Sequence, residues 1–251
     1  MARPRSVLLL PFVRCWPGRR SGMTKKRLDV LLVERGLAET REEAQRFIGA
    51  GLVFSGDQRL EKAGHSFDEL IPLDVRGGMP FVSRGGEKLE AVFRNFSLDV
   101  SGRTCVDVGA STGGFTDCLL QHGAVRVYAV DVGYGQLHWK LRKDPRVVVI
   151  ERVNARYLET RMFSEAPSMA TVDVSFISLT LVLPAVIQVL TPKAELVTLV
   201  KPQFEAGRKQ VERGGVVRDE AVRREVLARI RDFGCGKAGL EIAGECESPL
   251  K

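Results

Sequence analysis

The sequence has no apolar run near the roughly 18 residues that a membrane-spanning helix needs. Paired cysteines are missing as well: Cys15, Cys105, Cys118, Cys235 and Cys246 form no CxxC and show no metal-like spacing. A reduced, cytoplasmic chain is expected rather than a disulfide-held one. The three histidines, His65, His122 and His138, are scattered, so no metal site is expected. There is no internal repeat and no low-complexity tract, which excludes a repeat architecture. Acidic residues are absent from positions 1–27, which hold eight Lys/Arg, whereas the remaining residues carry 30 basic and 31 acidic groups. The net charge of +7 therefore resides in the N-terminal stretch and does not by itself argue for a nucleic-acid partner.

What is present is an ordinary globular composition, 44% hydrophobic and 27% charged over 251 residues, enough for one large domain or two smaller ones. The opening "MARPRSVLLLPFVRCWPGRRSG" has a short apolar core broken by Pro11 and no small-residue cleavage site. It is read as a disordered basic tail over 1–23, or as an early start ahead of Met23, and is set aside from fold reasoning.

From Lys25 the pattern is helical, with Leu28, Leu31, Leu32 and Val33 on one side and Gly36 as a C-cap. Thr40 and Glu43 form a capping box ahead of a second helix with Ala44, Phe47 and Ile48 as its stripe. "LVFSGDQRL" and "DELIPLDV" read as short strands. These make a small α+β domain over 24–75. The linker is placed at 76–85, around "RGGMP", and "GGEKLEAVFRNF" follows as a helix. Beyond it, strands are expected at 104–108, 125–131, 147–151, 169–174, 195–200 and 239–246, with helices at 114–122, 135–142, 177–190 and 219–233. That alternation predicts an α/β domain over 86–251, a parallel sheet with helices on both faces. Ligands in such sheets bind beyond the carboxyl ends of the strands.

Three motifs carry chemistry. In "CVDVGASTGGFTDCLL" a strand ends in Asp107 and a turn with Gly109, Ser111, Gly113 and Gly114 opens a helix. The spacing is G-x-x-x-G-G, not the dinucleotide G-x-G-x-x-G, which argues against a nicotinamide oxidoreductase. The helix start suits an anion and the carboxylate an ammonium, so a ligand with an amino acid group is read here; the plain alternative is a tight βα turn. Asp131 ends the next strand, where an acid can accept from ribose hydroxyls, although strand ends also carry Asp as a cap. Asn154 follows the third strand and is read either as an adenine contact or as a turn residue. The third motif is Lys88 with Asp173 and Lys201, the last two directly after apolar strands. Charges there are costly unless paired or functional.

These residues have a counterpart. "DVGASTGGFTDCLL", "AVDVGYGQL", "VDVSFISL" and "LVKPQFE" resemble the TlyA family of ribosomal RNA 2′-O-methyltransferases, within the FtsJ/RrmJ-like group. "RLDVLLVERGLAETREEAQRFIGAGLVFSG" is similar to the RNA-binding module named for ribosomal small-subunit protein four, and "FVSRGGEKL" resembles the start of the methyltransferase domain. The resemblance spans about 24–251. It implies a Rossmann-like sheet, S-adenosylmethionine as donor, and cytidine ribose 2′-hydroxyls of ribosomal RNA as acceptors. It also implies a Lys-Asp-Lys-Glu set, of which Lys88, Asp173 and Lys201 are matched. The family pattern runs past "ECESPL" into a strand that carries the Glu, so a truncated sheet lacking its last strand is expected for the sequence as given.

On this reading Lys201 is the base that takes the hydroxyl proton, since a second ammonium and partial burial favour a neutral lysine. Asp173 orients it and Lys88 holds ribose or phosphate. Lys25, Lys26, Arg27, Arg35, Arg41 and Arg46 are expected to grip RNA from the small domain, with Arg84 adding a contact near the hinge. The bland alternative is a solvated helix face. The rival functions are an RNA-binding assembly factor with an inactive fold, favoured by the unmatched Glu, and a membrane-lytic haemolysin. The second lacks the amphipathic or spanning segment it needs.

Overall fold

The computed structural model describes residues 25–77, 80–207, 210–212 and 214–250. The N-terminal tail therefore lies outside the described residues, as do Gly78 and Met79 of the expected linker. The chain divides into two compact units, with the boundary after Gly78.

The first unit runs β1 (Lys25–Arg27), α1 (Leu28–Glu34), α2 (Arg41–Gly49), β2 (Val53–Ser55), β3 (Gln58–Arg59), β4 (Ser66–Asp68) and β5 (Asp74–Val75). The helical pattern read from Lys25 starts three residues later, because 25–27 pair antiparallel with β4. Thr40 caps α2 by accepting from the Glu43 N–H at 3.1 Å, and the Glu43 carboxylate reaches back to the Glu39 N–H at 2.7 Å. Leu28, Leu32, Ala44, Ile48 and Val53 form the core between the two helices and the β2 ladder.

The second unit contains α3 (Gly85–Asn95), β6 (Thr104–Val108), α4 (Gly114–Gln121), β7 (Arg126–Val130), α5 (Trp139–Lys143), β8 (Val147–Ile150), β9 (Met169–Val172), α6 (Leu179–Gln188), β10 (Glu195–Thr198), α7 (Pro202–Glu205) and α8 (Glu220–Gly236). The strands form one parallel sheet in the order β10-β9-β6-β7-β8. Successive side chains point to opposite faces. Cys105, Val127, Ala129 and Met169 pack with α3 and α4 on one side, while Val106, Val108, Tyr128, Ala170 and Val172 pack with α6 and α8 on the other.

Chain direction sets the crevice. From β6 the chain steps outward to β7 and β8, then returns to β9 on the other side of β6. The loops leaving β6 and β9 thus diverge, and such a switch point is where open α/β sheets bind ligands.

One expectation is corrected. Residues 239–246 form no strand: they run as irregular, mostly exposed chain with no ladder pairing, and the Leu240 N–H donates to the Gly234 carbonyl at 2.9 Å. Phe81, inside the expected linker, is buried in the core beneath α3 and α4.

Candidate active site

Asp173 directly follows β9, Lys201 lies just beyond β10, and Lys88 sits in the first turn of α3. The fold brings all three together. Lys88 Nζ lies 2.9 Å from Asp173 Oδ2 and Lys201 Nζ lies 2.5 Å from Oδ1. Their side chains are 21%, 19% and 16% exposed in the order Lys88, Lys201, Asp173, so the charges are largely withdrawn from water and held by one another. Two ammoniums share one carboxylate, leaving a positive excess. Lys201 Nζ also donates to Ser175 Oγ at 2.8 Å. Pro202 is the first residue of α7, where its missing N–H costs no helical bond, and its fixed φ sets the chain's course after Lys201.

The glycine-rich loop assembles this group. Gly109 has φ +85°, and a Cβ there would stand 2.6 Å from the Asp173 carbonyl oxygen. A Cβ on Gly114 would meet the Gly86 nitrogen at 2.7 Å, where α3 crosses the start of α4. Sequence reasoning assigned these glycines to close approach of a ligand. The close approach they permit here is to the segments that carry Asp173 and Lys88.

The other loop residues take distinct places. Asp131 ends β7, partly exposed, and accepts from the Ser111 and Gly133 N–H groups at 2.7 Å each. Asn154 is exposed beyond β8, and its Oδ1 accepts from the Arg156 N–H at 3.1 Å, so its turn role is realised while its amide nitrogen stays open to the edge. Gly113 precedes α4. Asp107 lies deeper than the other loop residues. It is fully buried, and its oxygens accept from Thr116 at 2.7 Å and Thr171 at 2.9 Å. These bonds tie the end of β6 to α4 and β9 beneath the loop. Burial pushes the Asp107 carboxyl up to about 6, against the pull of the two hydroxyls.

Residues 81–251 match the FtsJ-like methyltransferase family, and residues 26–68 match the S4 domain. The chain belongs to the FtsJ-like methyltransferase family. A relative in Bacillus subtilis, named "Putative rRNA methyltransferase YqxC", is 54% identical over 228 residues, covering 90% of this chain and 81% of that protein. The Mycobacterium tuberculosis protein named 16S/23S rRNA (cytidine-2′-O)-methyltransferase TlyA is 45% identical over 223 residues, 86% of this chain and 83% of the relative. A solved structure, "Putative hemolysin from Streptococcus thermophilus", superposes with a TM-score of 0.71 at 46% identity, covering 92% of this chain and 84% of the other.

Within this FtsJ-like methyltransferase, sequence reasoning missed three residues of the same edge. Ser175 is the hydroxyl that Lys201 meets. Phe176 holds φ +63° and is 91% exposed, its ring 4.9 Å from that of Phe204. Glu205 is buried at the end of α7. A left-handed, solvent-facing phenylalanine beside a charged cluster has no signature in a single sequence. Glu205 was quoted inside "LVKPQFE", and its spacing of four from Lys201 was the available signal.

The scattered histidines also gave no warning that His122 meets Glu90 and Cys118 between α3 and α4. Their donor atoms lie within 4.8 Å of one another. The arrangement is that of a hydrogen bond: His122 Nε2 stands 2.8 Å from Glu90 Oε2, closer than the about 3.3 Å expected for two ligands on one tetrahedral zinc. Burial pushes the Cys118 thiol well above its ordinary range, and the His122 ring stacks on Phe93 at 3.8 Å.

In the S4 unit the six expected RNA contacts separate. Arg27 and Arg41 converge on buried Asp29, with Nη2 atoms 2.9 and 3.0 Å from its Oδ2. Lys26 pairs with Glu34 at 2.8 Å and Glu69 at 3.6 Å. Arg35 donates to the carbonyl oxygens of Glu69 and Ile71. Lys25 is exposed on β1 and Arg46 half-buried on α2. Hydrogen bonds from Arg27, then Gln45 and Arg41, hold the Asp29 carboxyl far below the usual range against the cost of burial. Arg84, exposed just ahead of α3, belongs to the other unit.

Proposed function

We propose that this protein methylates ribose 2′-hydroxyls of ribosomal RNA, with cytidine as the target nucleoside and S-adenosylmethionine as the donor. The observation that carries the reading is the Lys88–Asp173–Lys201 cluster at the carboxyl edge of the sheet. The names of the relatives support the substrate. The edge fits such a donor: Asp131 suits ribose hydroxyls, and the open amide of Asn154 suits a base edge. Gly109, Ser111, Gly113 and Gly114 supply the loop between them. When bound, the donor supplies an electrophilic methyl group.

The chain's own residues then have defined tasks. Lys201 is the group that takes the hydroxyl proton, at Nζ. The ammonium so formed already faces Asp173 at 2.5 Å, so the carboxylate stabilises the product of proton transfer. Ser175 fixes the direction of Nζ. Lys88 holds the ribose or its phosphate. The exposed Phe176 ring suits stacking by an unpaired base, the common mode of single-strand RNA recognition. The S4 unit supplies phosphate contacts through Lys25, Lys26, Arg27, Arg35, Arg41 and Arg46, and Arg84 adds another. No helix among the described residues is long and apolar enough to cross a membrane.

The test is transfer of labelled methyl groups to ribosomal subunits, with donor affinity measured by calorimetry. Lys201→Ala is expected to lose on the order of 10²–10⁴ in rate while retaining donor affinity. Full activity in that variant removes Lys201 from the mechanism. Donor binding without transfer by the unaltered chain supports the assembly-factor reading instead.

A further inference from the structure

Lys201 does not hold its place through β10 alone. Three contacts join its turn to the loop after β9, Lys201 to Ser175, Phe204 to Phe176 and Glu205 to Ser178. Central among them is Glu205, which is 9% exposed. Glu205 Oε1 accepts from the Leu179 N–H at 2.7 Å, and Oε2 accepts from Ser178 Oγ at 2.6 Å. Both donors stand at the start of α6, where backbone N–H groups have no helical acceptor and the helix dipole favours negative charge. At the other end, the Phe204 N–H donates to the Lys201 carbonyl at 3.0 Å, and Arg229 of α8 donates to the Glu205 carbonyl. One carboxylate therefore ties the turn after Lys201 to the loop that carries Asp173, Ser175 and Phe176.

From this geometry we infer that Glu205 is a positioning residue: it sets Lys201 Nζ against Asp173 and Ser175 without itself meeting substrate or donor. β10 ends at Thr198, three residues short of Lys201, and α7 is a single turn of four residues. Neither element is long enough to place a flexible side chain by itself. A clamp on the start of α6 is rigid because α6 is anchored by Leu179, Val182 and Leu183 in the core. The charge serves as an acceptor of two hydrogen bonds, so a neutral group of the same shape retains much of the function.

The inference rests on the reading of Lys201 as base, and the experiment keeps the two apart. Glu205→Ala and Glu205→Gln are made in the full chain and assayed for methyl transfer beside Lys201→Ala. The amide of Glu205→Gln still accepts from Leu179 and can donate to Ser178. Glu205→Ala is expected to lose about 10²-fold in kcat, the scale of a misplaced catalytic group, with KM for RNA and donor Kd within about twofold. Glu205→Gln is expected to recover most of that rate. Independently of any transfer activity, amine acylation followed by peptide mass spectrometry reads the accessibility of Lys201. Labelling of Lys201 is expected to rise several-fold in Glu205→Ala and to stay near the unaltered level in Glu205→Gln. Unchanged kcat and unchanged Lys201 labelling in Glu205→Ala overturn the inference. So does a loss of rate matched by loss of donor binding and of folded protein, which makes Glu205 a plain stability residue. Full activity of Lys201→Ala defeats the base reading, while the labelling result still decides whether Glu205 holds Lys201.

Discussion

Each unit places an aspartate between two cations, and the cations differ. In the S4 unit Asp29 is gripped by Arg27 and Arg41. In the methyltransferase unit Asp173 is gripped by Lys88 and Lys201. Arginine presents a planar fork and keeps its proton under all ordinary conditions, so the Asp29 group is a permanent clamp that joins β1, α1 and α2. Lysine is a point charge that can give up a proton, so the Asp173 group can take part in proton transfer as well as hold loops together. On the proposed reading, the same electrostatic pattern serves architecture in one unit and chemistry in the other. A third aspartate, Asp107, completes the contrast: neutral threonine groups hold it in place of cations, and its carboxyl is pushed up while that of Asp29 is pushed down.

The sharpest way to break the comparison is Lys201→Arg. The charge and the pairing with Asp173 remain, while proton acceptance is lost. Methyl transfer is expected to fall by roughly 10²–10⁴ with thermal stability unchanged, as measured by single-turnover assay and calorimetry. Activity near that of the unaltered chain would show that charge alone matters at this position.

Next in size is Asp29→Ala. It leaves two guanidiniums facing each other and a lost bond to Gln45. The expected destabilisation is about 2–3 kcal/mol, below the ~3–5 of a fully buried pair because both arginines are half in water. Hydrogen exchange should show the loss in 25–77, with donor affinity of the other unit retained.

The pH dependence separates Asp29 from Asp107. Asp29 is lowered in the folded state, so its contribution is present above the unfolded value of about 3.9 and is lost as pH falls below it. Asp107 is raised, so its contribution is whole below about 3.9 and is lost as pH rises through about 6. Asp107→Asn is therefore expected to flatten the decline of the methyltransferase unit's stability between about pH 4 and about 7, by on the order of 1–3 kcal/mol. Melting curves across that range check it, and an unaltered slope refutes it.

The smallest effect belongs to Lys25→Ala. Removing one exposed phosphate contact should weaken RNA binding a few-fold and reduce the slope of log K against log salt by about 1. A variant that leaves the slope unchanged takes Lys25 out of the RNA interface.

Much of the fold was legible because periodicity reports it directly. The strands at 104–108, 147–150 and 169–172 are apolar runs bounded by turn residues, and Thr40 with Glu43 marks a helix start. The segment 239–246 misled because apolar content suggests a strand without saying whether a neighbour is there to pair with it. The threonine partners of Asp107 were hidden for a related reason: a strand-end acid looks the same in sequence whatever lies beside it. Thr171 lies in register beside it only through the β6–β9 pairing, across 64 residues of chain.

By itself, the sequence determined the two-part organisation, the α/β rhythm, and the placing of Asp173 and Lys201 after apolar strands, since local pattern and strand-end chemistry are written in consecutive residues. Only the tertiary structure decided that Lys88 joins them, that Gly109 and Gly114 serve the seating of Asp173 and α3, and that Glu205 clamps the turn after Lys201. Those facts depend on parallel strand order and helix crossing. Both are set by packing over long sequence separations, and packing of that range leaves no periodic trace in the chain.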